Sequence, residues 1–221
     1  MKILFTQWFK ATPEVETYNL YCLHKNLSNK DIDKTVLFID NCEFNNVFNE
    51  KLITIPTQAR LSYKTWMDYA DKEYTEDIKI LANSDVYFDH SISFLDKINE
   101  WENRLYVLTR KDLTKEGPII PSGVNYNANN QEQISHHCCQ DSWIYKSKLK
   151  KDFNNNYNLG VMNCENLFRI NAQESGISVF SLFNHIELTH VDWRDSKTYC
   201  QEPYALYNHG PPLPYLNQIQ N

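Results

Sequence analysis

Short apolar segments of strand length alternate with segments of helical periodicity along most of this chain. The run Val36–Ile39 is apolar throughout, whereas residues 59–74 place their apolar side chains on one face of a helix. Neighbouring parallel strands need a long connection, which is usually a helix. The alternation therefore predicts an α/β fold with a mixed, mainly parallel central sheet flanked by helices, which is a Rossmann-like arrangement.

The predicted strands are Lys2–Phe9, Lys34–Asp40, Lys51–Ile55 (ended by Pro56), Ile78–Ala82, Leu105–Thr109, Asp141–Lys146, Ile177–Leu182 and Ile186–Val191. The predicted helices are Val15–Leu27, Ala59–Tyr74, Ser91–Glu102 and Cys164–Ser175. We expect one domain over residues 1–221. Residues 111–140 lack periodicity and are rich in Asn, Gln, Gly and Pro, so we expect a mobile loop at the mouth of an active site. The segment 199–221, rich in Pro and Tyr, is expected to wrap the surface.

Charge and cysteine usage exclude several classes of protein. The formal net charge is −6 with no basic cluster, which argues against a nucleic-acid partner. The six cysteines form no CxxC pair, and the run His136–Cys139 lacks a second ligand pair at a structural-zinc spacing. No segment reaches eighteen apolar residues, and the N-terminus does not resemble a signal peptide. We therefore expect a cytoplasmic, soluble protein with reduced thiols and no integral membrane segment.

The most informative segment is the apolar strand Ile78–Ala82 with the residues that follow it. In open α/β sheets, ligands bind beyond the carboxyl ends of the strands. The strand brings Asn83, Ser84 and Asp85 to that edge. One carboxylate there suits a hard cation such as Mn²⁺ or Mg²⁺, whose remaining oxygen ligands a diphosphate supplies. An ordinary polar turn is the alternative interpretation of the same three residues.

Several segments resemble, in the same order, motifs of small GT-A glycosyltransferases of a kind found in bacteria and large DNA viruses. The segment Ala82–Asp89 is similar to their DxD-type motif, and Leu108–Asp112 resembles their LTRxD strand end. The remaining matches are Gln140–Tyr145, similar to QDSW, and Asn158–Gly160 with Cys164–Asn166, similar to LG…CDN. His190 lies where a C-terminal metal-binding His of the family falls, so the resemblance runs from about Arg60 to His190. Asn83 replaces the first Asp of the DxD motif, and Glu165 replaces the Asp of CDN.

The resemblance implies a GT-A-like, metal-dependent glycosyltransferase. Its donor would be a nucleoside-diphosphate sugar, with UDP as the nucleotide, and its acceptor a glycan or another hydroxyl compound. Asp85 and His190 would bind Mn²⁺ or Mg²⁺. The residues implied to contact the nucleotide sugar are Thr6, Gln7, Trp8, Arg60, Asn83, Ser84, Asp85, Arg110, Asp112 and Asp141. Without the family, a structural histidine is the favoured interpretation of His190, and a solvated surface residue is an alternative interpretation of Arg60.

Two acidic residues are candidates for the general base. Glu165 begins a predicted helix, whose N-terminus favours an ionised carboxylate, and Asp141 is the second candidate. We expect Asp141 to bind donor-sugar hydroxyls, or to act as base if Glu165 does not. Closure of the 111–140 loop would exclude water from the donor.

Two other functions are compatible with the α/β pattern and the acidic residues described above. A sugar-phosphate nucleotidyltransferase also combines an α/β sheet with a cation, but it normally begins with a Gly-rich loop, and the segment Phe9–Pro13 has no glycine. A non-catalytic module that binds a nucleotide sugar would account for Asn83 and Glu165 as marks of lost activity.

Overall fold

The computed structural model describes residues 1–44, 47–113, 119–121, 124–126, 132–134, 140–149, 153–161 and 164–191, with backbone alone in the three short ranges between 119 and 134. The predicted surface tail 199–221 and the run His136–Cys139 lie outside the described residues, as does much of the predicted loop 111–140. None of the helices in the described part of the chain is both long and apolar enough to cross a membrane.

Thirteen strands are present in the described residues: β1 (Lys2–Phe9), β2 (Lys34–Asp40), β3 (Leu52–Thr57), β4 (Ile78–Ala82), β5 (Val86–Phe88), β6 (Arg104–Thr109), β7 (Lys111–Leu113), β8 (Ile119–Pro121), β9 (Val124–Tyr126), β10 (Glu132–Ile134), β11 (Gln140–Tyr145), β12 (Ser178–Ser181) and β13 (Leu188–Val191). Seven of them form the main sheet, in the order β12-β6-β11-β4-β1-β2-β3. Only β11 runs antiparallel to its neighbours in that sheet. The predicted mixed, mainly parallel sheet is confirmed.

The helices are α1 (Pro13–Ser28), α2 (Tyr63–Glu73) and α3 (Cys164–Glu174), with a 3₁₀ helix at His90–Lys97. α1 begins where the Thr12 side chain accepts a hydrogen bond from the Val15 amide, and Pro13 occupies the first turn. α2 begins four residues later than predicted, because Ser62 caps its N-terminus. The predicted helix Ser91–Glu102 is wrong in type and length, since a shorter 3₁₀ helix capped by Asp89 is found there.

The main sheet is buried on both faces. One face packs a cluster that includes Trp66 of α2, Phe168 of α3 and Trp143 of β11. The other face packs apolar residues of the 3₁₀ helix and, nearer the β3 edge, Leu23 and Leu27 of α1. Burial on both faces explains why the central strands are continuously apolar instead of alternating. Pro56 was predicted to end β3 but lies within it, where an edge strand tolerates a residue without an amide hydrogen.

A second, smaller sheet has the strand order β5-β13-β7-β8. In it, β13 pairs antiparallel with β5 and parallel with β7, which places His190 opposite Val86 and Asp112. The segment 111–140 was predicted to lack regular structure, but it contains four complete short strands, β7, β8, β9 and β10, and the first residue of β11. Through this small sheet, residues that are far apart in sequence come together at the carboxyl ends of β4 and β6.

The strand order reverses at β1. The chain adds β2 and β3 on one side of β1 and then returns to add β4 on the other side. In sheets of this type, a crevice opens at such a reversal, outside the carboxyl ends of the strands. By this rule, a ligand is expected to bind beyond Phe9 and Ala82, where β1 and β4 end.

Candidate active site

The carboxyl edge of β4 and the second sheet bring three carboxylates, one guanidinium and one imidazole together. Asp85 follows β4, Asp112 lies in β7, His190 lies in β13, and Asp141 lies in β11. Arg110 occupies the single residue between β6 and β7. All five were implied as site residues by the resemblance, and the structure places them in one connected cluster.

His190 lies between two of these carboxylates. Its Nε2 is 3.3 Å from Asp85 Oδ2, and its Nδ1 is 2.9 Å from Asp112 Oδ1. The imidazole is buried, whereas both carboxylates are partly exposed. The Asp85 carbonyl also accepts a hydrogen bond from the Val191 amide, at 2.9 Å. Positions 85 and 190, which are 105 residues apart, therefore converge on one point at the edge of the sheet.

The charges of this row stabilise one another. Burial disfavours the charged form of Asp85, but the facing His190 holds the pKa of that carboxyl below its usual value. Burial likewise disfavours the imidazolium, but the Asp85 charge and the hydrogen bond to Asp112 raise the pKa of His190 to about 9. In the protein without a cation, the three side chains thus form a carboxylate–imidazolium–carboxylate row near neutral pH.

A second set of contacts surrounds Asp141. Arg110 Nη1 donates to both carboxylate oxygens of Asp141, at 2.9 Å each, and Arg110 Nε lies 3.3 Å from Asp112 Oδ1. Asn83 Nδ2 donates to Asp141 Oδ1 at 2.6 Å. The Asp141 side chain is 2 % exposed, and burial raises the pKa of its carboxyl, although Arg110 opposes that shift. Arg110 thus joins the Asp141 carboxylate to the Asp112–His190–Asp85 row.

A β-bulge sets the direction of the Asp141 side chain. The pairing of β11 with β6 changes register between Gln140 and Ser142, so that Asp141 is the extra residue. Bulges bend a strand and redirect a side chain, and they are frequent beside active sites. The Asp141 carboxylate consequently lies near the carboxyl end of β4, where it contacts Asn83 and Arg110.

Glu165 begins α3 and is half-buried. Burial raises the pKa of its carboxyl from 4.5 to about 7, and the charge of Asp141 acts in the same direction. The helix N-terminus favours the ionised carboxylate, as expected, but burial has the larger effect on its pKa. A carboxyl with a pKa near 7 is suited to accept a proton at neutral pH.

The predicted base and ribose contacts at the end of β1 lie on different faces of the sheet. Trp8 packs in an apolar cluster with Leu23 and Leu37, and its ring meets Phe44 edge-on at 5.1 Å. Thr6 and Gln7 are buried, and neither Thr6 Oγ1 nor Gln7 Oε1 has a hydrogen-bond partner within the described ranges. Ser84 is half-buried in the turn after β4. Their contacts with a nucleotide stay predictions.

Arg60 lies against both the end of β1 and the loop before α3. Its guanidinium stacks over the Phe9 ring, 4.9 Å from the centroid. In the loop before α3, a Cβ added to Gly160 would lie 2.5 Å from Arg60 Nη2. Gly160 has a φ of +70°, a conformation that disfavours other residues. Arg60 is therefore held in a defined position, and is not a freely solvated side chain.

The donor set at Asp85 and His190 fits a divalent cation. Two donors 3.3 Å apart suit adjacent positions on a cation with metal–ligand distances of about 2.1 Å. Asp85 Oδ1 is buried and has no hydrogen-bond partner in the part of the chain that the structure describes. Metal-binding histidines usually direct their second ring nitrogen at a carboxylate, as His190 does with Asp112. Within the described ranges, no group of three or more His, Cys, Asp or Glu residues that could hold a metal is found, so the fit rests on Asp85 and His190.

The bulge at Asp141 and the contact between Asn83 and Asp141 were missed by the sequence analysis. Asp112 contacts His190 and Arg110 within the protein, and its implied contact with the nucleotide sugar stays a prediction. The sequence contains a local indication for the position of Asp112, but none for the bulge or for the contact between Asn83 and Asp141. Asp112 lies two residues beyond Arg110, so a continued strand places both side chains on one face.

Comparisons with known proteins show the fold without identifying a family. No family model matches the chain, and no curated protein sequence matches it. Among solved structures, it is similar to GalNAc-T7 crystallised with UDP, GalNAc and Mn²⁺, with a TM-score of 0.56 and 8 % identity over 89 % of this chain. The match spans 45 % of the GalNAc-T7 chain, so this chain corresponds to about half of that protein.

Two further solved structures are similar at lower TM-scores. One is the inositol-1-phosphate CTP transferase from T. maritima, with a TM-score of 0.47 and 15 % identity, covering 87 % of this chain and 90 % of that chain. The other is S. aureus TarS 1-349, with a TM-score of 0.45 and 14 % identity, covering 89 % of this chain and 59 % of that chain. With the strand order described above, the GalNAc-T7 match shows a GT-A-like, Rossmann-like fold.

Proposed function

We propose that this protein is a metal-dependent glycosyltransferase that moves a sugar from a nucleoside-diphosphate donor, with UDP as the nucleotide, to a hydroxyl of a glycan or glycoconjugate. The observation that carries the proposal is the approach of His190 to Asp85 at the carboxyl edge of β4, with Asp112 behind the imidazole. The similarity to GalNAc-T7, whose structure contains UDP, GalNAc and Mn²⁺, supports it at the level of the fold.

Asp85 and His190 would hold the cation, which is Mn²⁺ or Mg²⁺. When bound, the cation neutralises charge on the diphosphate and on the leaving nucleoside diphosphate. Asp112 orients the His190 ring so that Nε2 faces Asp85. Arg60 would contact a phosphate through its guanidinium, because Phe9 and Gly160 fix that group at the end of β1.

Two acidic residues, Asp141 and Glu165, would bind the donor sugar and accept the proton of the acceptor hydroxyl, respectively. Asp141 is held by Arg110 and Asn83, and its Oδ2 receives only one of these hydrogen bonds, so this oxygen is suited to a donor-sugar hydroxyl. We assign Glu165 as the general base that takes the proton from the acceptor hydroxyl. Glu165 is half-buried in the first turn of α3, and burial raises its pKa to about 7, which suits a base at neutral pH.

Glycosyl transfer is favoured over nucleotidyl transfer by the connection between β1 and α1. Residues Phe9–Thr12 lead directly into α1, whose first turn is capped by Thr12 and occupied by Pro13. This connection has no glycine, whereas a phosphate-binding loop after the first strand needs close backbone approach. Incubation with UDP-sugars separates the two reactions. Release of UDP supports glycosyl transfer or donor hydrolysis, whereas formation of UTP and sugar phosphate from added pyrophosphate would show nucleotidyl transfer.

The metal assignment is tested by calorimetry of UDP binding with and without Mn²⁺. Wild-type protein is expected to bind UDP more tightly with Mn²⁺, and Asp85→Ala is expected to lose that difference. Asp68→Ala is a matched control, because Asp68 is an exposed carboxylate on α2 paired with Lys64. An Asp85→Ala variant with the full Mn²⁺ effect would show that the cation binds elsewhere.

The same titrations address the non-catalytic alternative. A binding module would take up UDP-sugar with Mn²⁺ and release neither UDP nor free sugar over a long incubation. Slow donor hydrolysis that disappears in Asp85→Ala but persists in Asp68→Ala would identify an enzyme.

A further inference from the structure

Asn83 and Asp141 are joined by two hydrogen bonds at the point where β4 meets β11. The Asn83 backbone amide donates to the Asp141 carbonyl at 3.0 Å, which continues the ladder beyond Ala82. The Asn83 side chain donates to Asp141 Oδ1 at 2.6 Å. The second bond is possible because the bulge at Asp141 turns the carboxylate toward the sheet edge.

The chemistry of this contact requires an amide at position 83. Asp141 is 2 % exposed and already part of a cluster with the carboxylates of Asp85 and Asp112. Against these three acids, the described cluster has one guanidinium and one imidazole. An Asp at position 83 would place a fourth carboxylate within contact distance of Asp141, and like charges that share a buried site strongly disfavour ionisation.

The amide also determines which oxygen of Asp141 keeps unused acceptor capacity. Oδ1 accepts from Asn83 and from Arg110, whereas Oδ2 accepts from Arg110 alone. A carboxylate oxygen that already has two donors has little remaining capacity, so a substrate hydroxyl is directed to Oδ2. Asn83 therefore controls the orientation of the carboxylate and not merely its charge.

We propose that Asn83 is a positioning residue that holds the Asp141 carboxylate ready for the donor sugar, and that Asn at this position is required rather than a decayed metal ligand. This inference rests on the proposed function, since it assigns Asp141 to the donor. If Asn83 has this role, the substitution Asn83→Asp damages the site, although it restores the DxD pattern. Asn83 then acts through a protein side chain instead of through the cation or the ribose.

The first experiment compares thermal unfolding without metal or nucleotide. Asn83→Asp is expected to lower the melting temperature by roughly 5 °C, because a buried carboxylate loses a donor and gains a repelling neighbour. The double variant Asn83→Asp/Asp141→Asn exchanges donor and acceptor, so it is expected to melt above Asn83→Asp. Asn156→Asp, at an exposed position, controls for the added charge and is expected to leave the melting temperature unchanged. Equal melting of Asn83→Asp and wild type would overturn the proposal.

The second experiment measures binding and transfer. Asn83→Ala is expected to raise the KM for the nucleotide sugar about tenfold with a smaller change in kcat, because Arg110 alone then holds the Asp141 carboxylate. The exchanged double variant is expected to stay inactive despite its recovered melting temperature, since it lacks the carboxylate at position 141. Tighter Mn²⁺ binding and faster transfer in Asn83→Asp would show instead that position 83 is a weakened metal ligand.

The two hypotheses fail in different ways. Wild-type protein that binds no UDP-sugar with Mn²⁺ would refute the proposed function itself. Wild-type protein that binds donor normally, with an Asn83→Ala variant of unchanged KM, would refute only the role of Asn83.

Discussion

Replacement of Glu165 by Gln is expected to change stability and activity in opposite directions. Burial raises the pKa of Glu165 from 4.5 to about 7, so the folded protein binds this proton more tightly than the unfolded chain does. A shift of this size corresponds to roughly 3 kcal/mol of free energy, and incomplete burial reduces it to about 2–3 kcal/mol. Gln has nearly the same shape and no charge to bury.

The sign of the effect follows from the two pKa values. Below pH 4.5 the carboxyl is protonated in both states, and it costs no stability. Between pH 4.5 and 7 the unfolded chain loses the proton first, so stability falls as the pH rises. Above pH 7 the full penalty applies, and Glu165→Gln is expected to melt higher than wild type by roughly 5–10 °C at pH 8.

The assay is thermal unfolding of wild type and Glu165→Gln at pH 5 and pH 8, followed by circular dichroism. Glu174→Gln provides the control, because Glu174 is an exposed carboxylate at the other end of the same helix. The difference between wild type and Glu165→Gln is expected to be small at pH 5 and large at pH 8. A difference that does not change with pH would refute the assignment of a buried, charge-penalised carboxyl.

The same substitution is expected to lower catalytic activity while it raises stability. If Glu165 is the base, kcat for Glu165→Gln is expected to fall about 10²–10³-fold while donor binding is retained. In wild type, kcat/KM is expected to rise with pH through about 7, because the base must be deprotonated. Full activity of Glu165→Gln would move the base to Asp141.

Two other substitutions test the supporting contacts. Asp112→Asn is expected to weaken Mn²⁺ binding about 10–100-fold in calorimetry with little loss of melting temperature, because the His190 ring loses its carboxylate partner; unchanged affinity would contradict that role. Gly160→Ala is expected to lower the melting temperature by a few degrees and to weaken UDP binding, since the new methyl group displaces Arg60. Gly176→Ala is the control for the second change, because Gly176 has a similar φ of +78° at the end of α3, and equal UDP affinities for the two glycine variants would refute a role for Arg60.

The main sheet was predictable because each of its strands carries a strong local signal. β1, β2 and β4 have the predicted boundaries, and the other long strands differ by one or two residues at an end. These strands are buried on both faces, so their apolar runs are unbroken and have clear limits. The order of the strands needed the structure, because no local pattern states that β4 returns to the other side of β1.

The second sheet was not predictable for a physical reason. Its strands β5, β7 and β8 have three residues each, which is too short for any periodicity. They form only because β13 pairs with β5 and β7, so their stability is tertiary rather than local. The 3₁₀ helix was mistaken for an α-helix for a related reason, since both patterns place apolar residues three apart.

The site residues were named from the resemblance, and their arrangement came from the structure. Composition and spacing indicated only that Asp85 follows a buried strand. That His190 would reach Asp85, with Asp112 on its other nitrogen, depends on the pairing of β13 between β5 and β7. The bulge that turns Asp141 has no glycine or other local marker, and this is why the contact with Asn83 was missed.

The position of β13 also affects how the protein is made. His190 is synthesised after every other residue of the cluster, because Asp85, Arg110, Asp112 and Asp141 all precede it by about fifty residues or more. A nascent chain that has emerged only as far as α3 therefore contains the three acids and the guanidinium of the cluster, but lacks its imidazole. On the ribosome, the first six strands of the main sheet can pair in advance, but the cluster gains its second cationic group only when β13 inserts between β5 and β7. Docking of this one strand thus completes the cluster, because it brings the His190 imidazole between Asp85 and Asp112.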